Sequence, residues 1–241
     1  MTLKSLLTQT IRVIRTDKIV LVPYIIFAFM VSLLTPYFNL DLLVKSMSMN
    51  QFIAQFFLIH WAFDIVFMAL TMTLAEQLVS QGSANVKSAL GQVLARYVSL
   101  CFVTAFTVLP IAILTFTLGT PTEASPFTWW QFSLLIALIP YTVSQLLAPA
   151  YTLVSKQNGL TPIINSVRTI WKNKRATLTY LVSIMLFYFL VAAIKLTVSQ
   201  VPIIGGSVLA ILCQGIGYAI VYVMNIGFFH QMNKATIDYI S

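Results

Sequence analysis

The fifth of six apolar runs sets the terms for everything else in this chain. From Ala176 to Val198 it reads ATLTYLVSIMLFYFLVAAIKLTV, with Lys195 as its single charge. A run of about 20 apolar residues, rising about 1.5 Å each, matches a hydrocarbon layer about 30 Å thick. Comparable runs cover Ile19–Phe38, Phe52–Val79, Tyr97–Leu118, Trp129–Val154 and Ile203–Phe229. A soluble domain carries about a quarter charged residues, whereas this chain has 8% charged and 59% hydrophobic. The pattern predicts an all-α polytopic membrane protein with six transmembrane helices, forming one integral membrane domain over residues 1–241.

A net charge of +8 raises nucleic acid as a partner, and the placement of the charge excludes it. Lys4, Arg12, Arg15 and Lys18 precede the first run, and Lys87 and Arg96 lie between the second and third. Lys156, Arg168, Lys172, Lys174 and Arg175 lie between the fourth and fifth, and Lys234 follows the last. Those are twelve of the 14 basic residues, all on one side of a six-span topology. By the positive-inside rule that side is cytoplasmic, so both termini are expected there. Anionic phospholipids of the cytoplasmic leaflet are the expected partners, with a membrane-protein partner or a second copy of the chain also open. The first run has no small-x-small cleavage site and is expected to remain as a span.

Three segments on the basic side share a pattern. LKSLLTQTIRVIR (residues 3–15), VKSALGQVLARYV (86–98) and LTPIINSVRTIWK (160–172) each place apolar residues at i, i+3, i+4 and i+7. That spacing makes one apolar stripe on a helix, with Lys and Arg around the rest. Too short and too charged to span, such helices suit the membrane interface. The sequence thus predicts three amphipathic interfacial helices, each leading a two-span hairpin, in repeat units 1–82, 83–157 and 158–241. Arg12, Arg15, Lys87, Arg96, Arg168, Lys172, Lys174 and Arg175 are the expected lipid-headgroup contacts. Ile163, Val167 and Trp171 are the expected interfacial anchors, and Thr161 before Pro162 reads as a helix N-cap.

Pro23, Pro110, Pro140 and Pro149 fall in or near spans, where each interior proline frees a backbone carbonyl and favours a kink. Gly205, Gly206, Gly215, Gly217 and Gly227, with Ala210 and Ala219, suit close packing of the last span.

At LLAPAYTLVSKQNGLTPIINSVRTIWKNKR the chain resembles the YciC-like bacterial membrane proteins. It is also similar to the membrane domain of some glycerophosphodiester phosphodiesterases. The residues that carry the resemblance are Ala148, Pro149, Gly159, Ser166 and Arg175, within about 30 residues. The resemblance implies a bacterial inner-membrane protein. It implies no phosphodiesterase activity, because the catalytic domain of those enzymes has no counterpart here.

Charge inside a span is expensive and points to function. His60 and Asp64 stand at i and i+4 on the second run and share one face. With Glu76 they form the candidate intramembrane polar site. Glu76 is expected to pair with a basic residue near the cytoplasmic end, and Lys195 to snorkel at the outer end. Cys101 and Cys213 have neither metal-ligand nor redox spacing. No histidine–nucleophile pairing, metal-ligand cluster or phosphate loop is written in the sequence. The expectation is therefore a non-enzyme, with no metal and no cofactor. Two readings follow. One is a membrane protein acting through lipid or protein contacts in envelope maintenance. The other is a small transporter or permease subunit using the kinked spans and the His60/Asp64 pair. A polar cavity reaching Asp64 would favour the second, and a dry bundle with a basic collar the first.

Overall fold

The computed structural model describes residues 3–34, 58–118, 140–141, 143–199 and 204–237. These are almost entirely helical, with no strand among them. In chain order the helices are α1 (Leu3–Thr16), a 3-10 turn (Lys18–Leu21), α2 (Val22–Leu34), α3 (Leu58–Gln81) and α4 (Val86–Leu118). They continue with α5 (Ala148–Leu153), α6 (Thr161–Lys172), α7 (Lys174–Ser199) and α8 (Ile204–Ile237). The chain divides into two compact units, Met1–Ala95 with Arg175–Ser241, and Arg96–Lys174.

Four described helices are long and apolar enough to cross a membrane, with windows at Trp61–Gln81, Val86–Thr107, Lys174–Val198 and Val208–Asn233. The bent pair Lys4–Thr16 and Lys18–Leu33 would make a fifth span if taken together, but its two halves meet at 105°. Residues 129–139 and 142 of the expected fourth span, and residues 35–57 from the end of the first into the second, lie outside the described residues. Little of α7 is buried. Leu178, Val182, Met185, Leu186, Phe189, Leu190 and Leu196 are all exposed. Such an apolar face is far larger than a water-soluble monomer presents, and a bilayer is the solvent that suits it.

In the first unit α2, α3 and α8 pack on one another, and α1 packs across α8 and α3. At Gly215 α8 comes close to the backbone of α2. A Cβ there would lie 2.9 Å from Ile25 Cα and 2.9 Å from the Tyr24 carbonyl oxygen. Only a glycine lets α8 come this close to the backbone of α2. By contrast, aromatic side chains hold α7 on α8. Tyr180 stacks on Phe228 at 4.3 Å between ring centroids, and Tyr188 meets Tyr218 edge-on at 5.9 Å.

The three amphipathic segments do not fold alike. Asp17 ends the first: its carboxylate accepts from the backbone N–H of Ile19 at 2.9 Å, capping the 3-10 turn and setting the corner into α2. Asn173 ends the third, leaving helical dihedrals at φ −111°, ψ 41° before α7 begins. The second has no such residue at its end. Arg96, Tyr97 and Val98 continue the helix, and residues 86–118 form one helix of 33 residues. The expectation of a separate interfacial helix at 86–98 is therefore corrected, and with it the likeness of the three leading segments. At the start of this helix Asn85 is the cap, its side-chain oxygen accepting from the Ser88 N–H at 3.0 Å.

Each apolar stripe also splits into two rows. Leu6, Thr10 and Val13 are buried while Leu7 and Ile11 are exposed; Ala89 and Val93 are buried while Val86, Leu90 and Leu94 are exposed. On α6, Ile163, Ser166 and Ile170 are buried while Leu160, Ile164 and Trp171 are exposed. One row packs on protein and its neighbour faces outward.

The second unit explains the motif around residue 148. Residues 145–147 form a turn rather than continuing a span, and Pro149 sits in the first turn of α5. Ser166, fully buried, accepts from the Leu147 N–H at 3.0 Å and donates to the Ser144 carbonyl at 2.8 Å. It satisfies backbone groups that the turn takes out of the helical ladder. Gly159 has φ +64°, where a side chain would be strained. The N-cap of α6 is Leu160, which makes no side-chain cap, so Thr161, the expected cap, is instead the first helical residue.

Candidate functional site

Asp64 projects from α3 among tyrosines. The Tyr24 hydroxyl donates to Asp64 Oδ1 at 2.7 Å. The Tyr24 ring stacks on Tyr222 at 4.9 Å and tilts against Tyr218 at 6.0 Å. These groups border a cavity of about 580 Å3 in the first unit, shared by α2, α3, α7 and α8. Phe27, Ala28, Val31, Ala210 and Ile211 supply apolar wall, and Ser32, Gln214 and Lys195 supply polar groups. Lys195 Nζ donates to Gln214 Oε1 at 2.7 Å. One carboxylate and one ammonium thus border the same space, each oriented by an uncharged partner.

Sequence reasoning finds Asp64 and misses the rest of this wall. Lys195, expected only to snorkel, lines the cavity. Its position on α7 beside Gln214 of α8 is visible only once the two helices are paired. Tyr218 and Tyr222 stand at i and i+4 on α8, a detectable signal in hindsight, because one apolar span presents two phenols on one face. His60 belongs to the first turn of α3, and its side chain lies outside the described residues.

Glu76 is not part of the cavity. Its carboxylate pairs with the imidazole of His230, a contact between α3 and α8 in which both side chains are largely buried. Beside it Gln231 on α8 donates to Gln9 on α1 at 3.0 Å. This cluster joins α1, α3 and α8.

The expected lipid-contacting residues divide by circumstance. Arg12 and Arg15 line an open groove of about 520 Å3 on α1 with Thr8, Ile11 and Thr16. Lys87, Arg168, Lys172, Lys174 and Arg175 are exposed, and Lys174 Nζ sits 5.1 Å above the Trp171 ring. Arg96 is engaged within the protein, donating to the Lys156 carbonyl at 2.9 Å and to Asn158 Oδ1 at 2.7 Å. It braces a loop in which Lys156 has φ 53°. Of the expected anchors, Trp171 is exposed and Val167 half-buried, while Ile163 belongs to a small core with Val103 and Ala148. The outward face of α6 is therefore the one marked by Leu160, Ile164 and Trp171.

The fold and the cavity define a class: a helical protein with membrane-spanning helices and a partly open cavity bordered by one acidic and one basic side chain among the described residues. No model of a known protein family, no curated protein and no solved structure matches the chain.

Proposed function

We propose that this chain is a bacterial inner-membrane protein that admits a small charged solute to a wet cavity between its spans, as a small transporter or permease subunit does. The observation that carries this reading is the convergence of Asp64 and Lys195, from α3 and α7, on one cavity of about 580 Å3. A carboxylate within a span is costly in hydrocarbon, and water-filled space beside it removes much of that cost. A purely structural polar contact needs only its partner. Asp64 has a partner in Tyr24 and open volume as well. A protein acting only through lipid or protein contacts calls for a dry bundle, and the cavity weighs against it.

Membrane lipid keeps a place in this proposal. Arg12 and Arg15, in a groove beside exposed Leu7 and Ile11, suit the phosphates of anionic lipid on a cytoplasmic face. Reporter fusions at Glu123 and Ser241 are then expected to report opposite compartments, and agreement between them would refute the topology.

The cavity is tested by thiol labelling in a chain whose two free cysteines, Cys101 and Cys213, are replaced by Ala. A membrane-impermeant charged thiol reagent should modify Ser32→Cys on the cavity wall and leave Leu186→Cys on the lipid face untouched. Equal protection of both positions would remove the cavity.

A further inference from the structure

We infer that the solute is a zwitterion, seated with its ammonium against Asp64 and the neighbouring tyrosines and its phosphate or carboxylate against Lys195. The inference rests on the reading of the cavity as a solute site and adds the chemical class of its occupant. Among the described residues, and apart from phenols, Asp64 and Lys195 are the ionisable side chains bordering the cavity, one charge of each sign. A simple cation would satisfy Asp64 and be repelled by Lys195, and a simple anion would meet the reverse. A zwitterion satisfies both at once.

The surroundings of each charge agree with this assignment. At the Asp64 end Tyr24, Tyr218 and Tyr222 border the same space, and electron-rich rings attract an ammonium group. On the same cavity wall Lys195 offers a compact ammonium, suited to phosphate or carboxylate oxygens, steadied by Gln214. The uncharged wall at Val31 and Ile211 suits a short carbon stem. A volume of about 580 Å3 exceeds the need of a single ion and falls within the usual range of small-molecule sites, about 300–1,000 Å3. The same chemistry occurs in a free amino acid, a free phosphoethanolamine ester and the headgroup of a zwitterionic phospholipid.

The test uses the purified full chain in maltoside micelles, with thermal shift and calorimetry as readouts. The zwitterionic probes are γ-aminobutyrate and glycerophosphoethanolamine; ethanolamine and glycerol phosphate supply each charge alone. At least one zwitterion should raise the unfolding midpoint where the single-charge probes at equal concentration do not. Asp64→Asn and Lys195→Gln should each weaken that binding about tenfold or more, as loss of one charge-assisted hydrogen bond implies. In Asp64→Asn the amide oxygen can still accept from Tyr24, and Lys195 is exposed, so unliganded midpoints near the native value will show that both variants fold. Native mass spectrometry with added phosphatidylethanolamine or phosphatidylglycerol separates the sources. Selective retention of phosphatidylethanolamine, lost in Asp64→Asn, identifies a lipid headgroup; its absence beside binding of a free probe identifies a soluble solute. Ethanolamine binding as tightly as the zwitterions, unchanged by Lys195→Gln, would overturn the zwitterion class. So would the failure of every probe and of phosphatidylethanolamine in a chain whose Ser32→Cys variant is labelled. Failure of that labelling would instead bring down the cavity reading itself.

Discussion

Replacing Gly215 with Ala puts the packing of the first unit to a graded test. The added Cβ would stand 2.9 Å from two backbone atoms of α2 and 3.2 Å from Ala28 Cβ. Side-chain rotation cannot move backbone, so α2 must shift as a whole, together with the Tyr24 and Ala28 wall of the cavity. Overpacking of this kind costs about 1–3 kcal/mol, and contact with backbone puts it near the upper end. The better helix propensity of Ala returns about 1 kcal/mol, leaving a net loss of about 2 kcal/mol. Two other glycines calibrate the scale. At Gly217 the new Cβ meets Val191 methyls at 2.9 Å, and α7, little buried and bordered by lipid, can give way, so the net change should be near zero. At Gly91 nothing lies within 4 Å, and Ala should stabilise by about 0.5–1 kcal/mol. Unfolding of the three purified variants in detergent, by heat or by added dodecyl sulfate, should rank them Gly91→Ala, Gly217→Ala, Gly215→Ala from most to least stable. A Gly215→Ala protein as stable as Gly91→Ala would refute the close approach of α8 to α2.

Ser166→Ala removes the group that bridges the Ser144 carbonyl and the Leu147 N–H. Both backbone groups are left without it in a buried site, and unfolding should show a loss of about 1–3 kcal/mol. Tyr180 is fully buried, and among the described residues its hydroxyl has no hydrogen-bond partner. Tyr180→Phe should therefore leave the unfolding midpoint unchanged or raise it, while Tyr180→Ala, losing the stack on Phe228, should cost about 3–5 kcal/mol. Asp17→Ala removes the cap at the corner between α1 and α2 and should destabilise by about 1 kcal/mol. Spin labels at residues 13 and 27 would show whether the distance between the two helices broadens in that variant.

Helix and hydrocarbon were legible because both are periodic properties of the chain itself. The described parts of the runs Phe52–Val79, Ala176–Val198 and Ile203–Phe229 lie within α3, α7 and α8. Breaks between helices were less legible, since one residue decides them. Asp17 and Asn173 stop a helix by competing for or distorting backbone hydrogen bonds, and their absence near residue 97 lets α4 run on. The amphipathic stripes were visible, but not their division into inward and outward rows, because periodicity cannot tell a protein neighbour from a lipid one. Ile163 shows this best: it occupies an expected anchor position and is consumed by packing. At the site, Asp64 was conspicuous as a carboxylate well inside an apolar run, four residues from His60. Lys195, Tyr218 and Tyr222 lie far from it along the chain, and only the pairing of α7 and α8 with α2 and α3 brings them to one cavity.

Water inside the first unit is the claim on which the functional reading stands, and nitroxide accessibility in lipid vesicles measures it directly. Labels would be placed singly at Ile211 on the cavity wall, Leu186 on the exposed face of α7 and Ala69, which is fully buried. A wet cavity should make the label at 211 accessible to a polar nickel chelate and poorly accessible to oxygen. The label at 186 should show the reverse, and the label at 69 should be protected from both. A label at 211 that behaves like the one at 186 would mean lipid fills the space, and one that behaves like 69 would mean the bundle is dry.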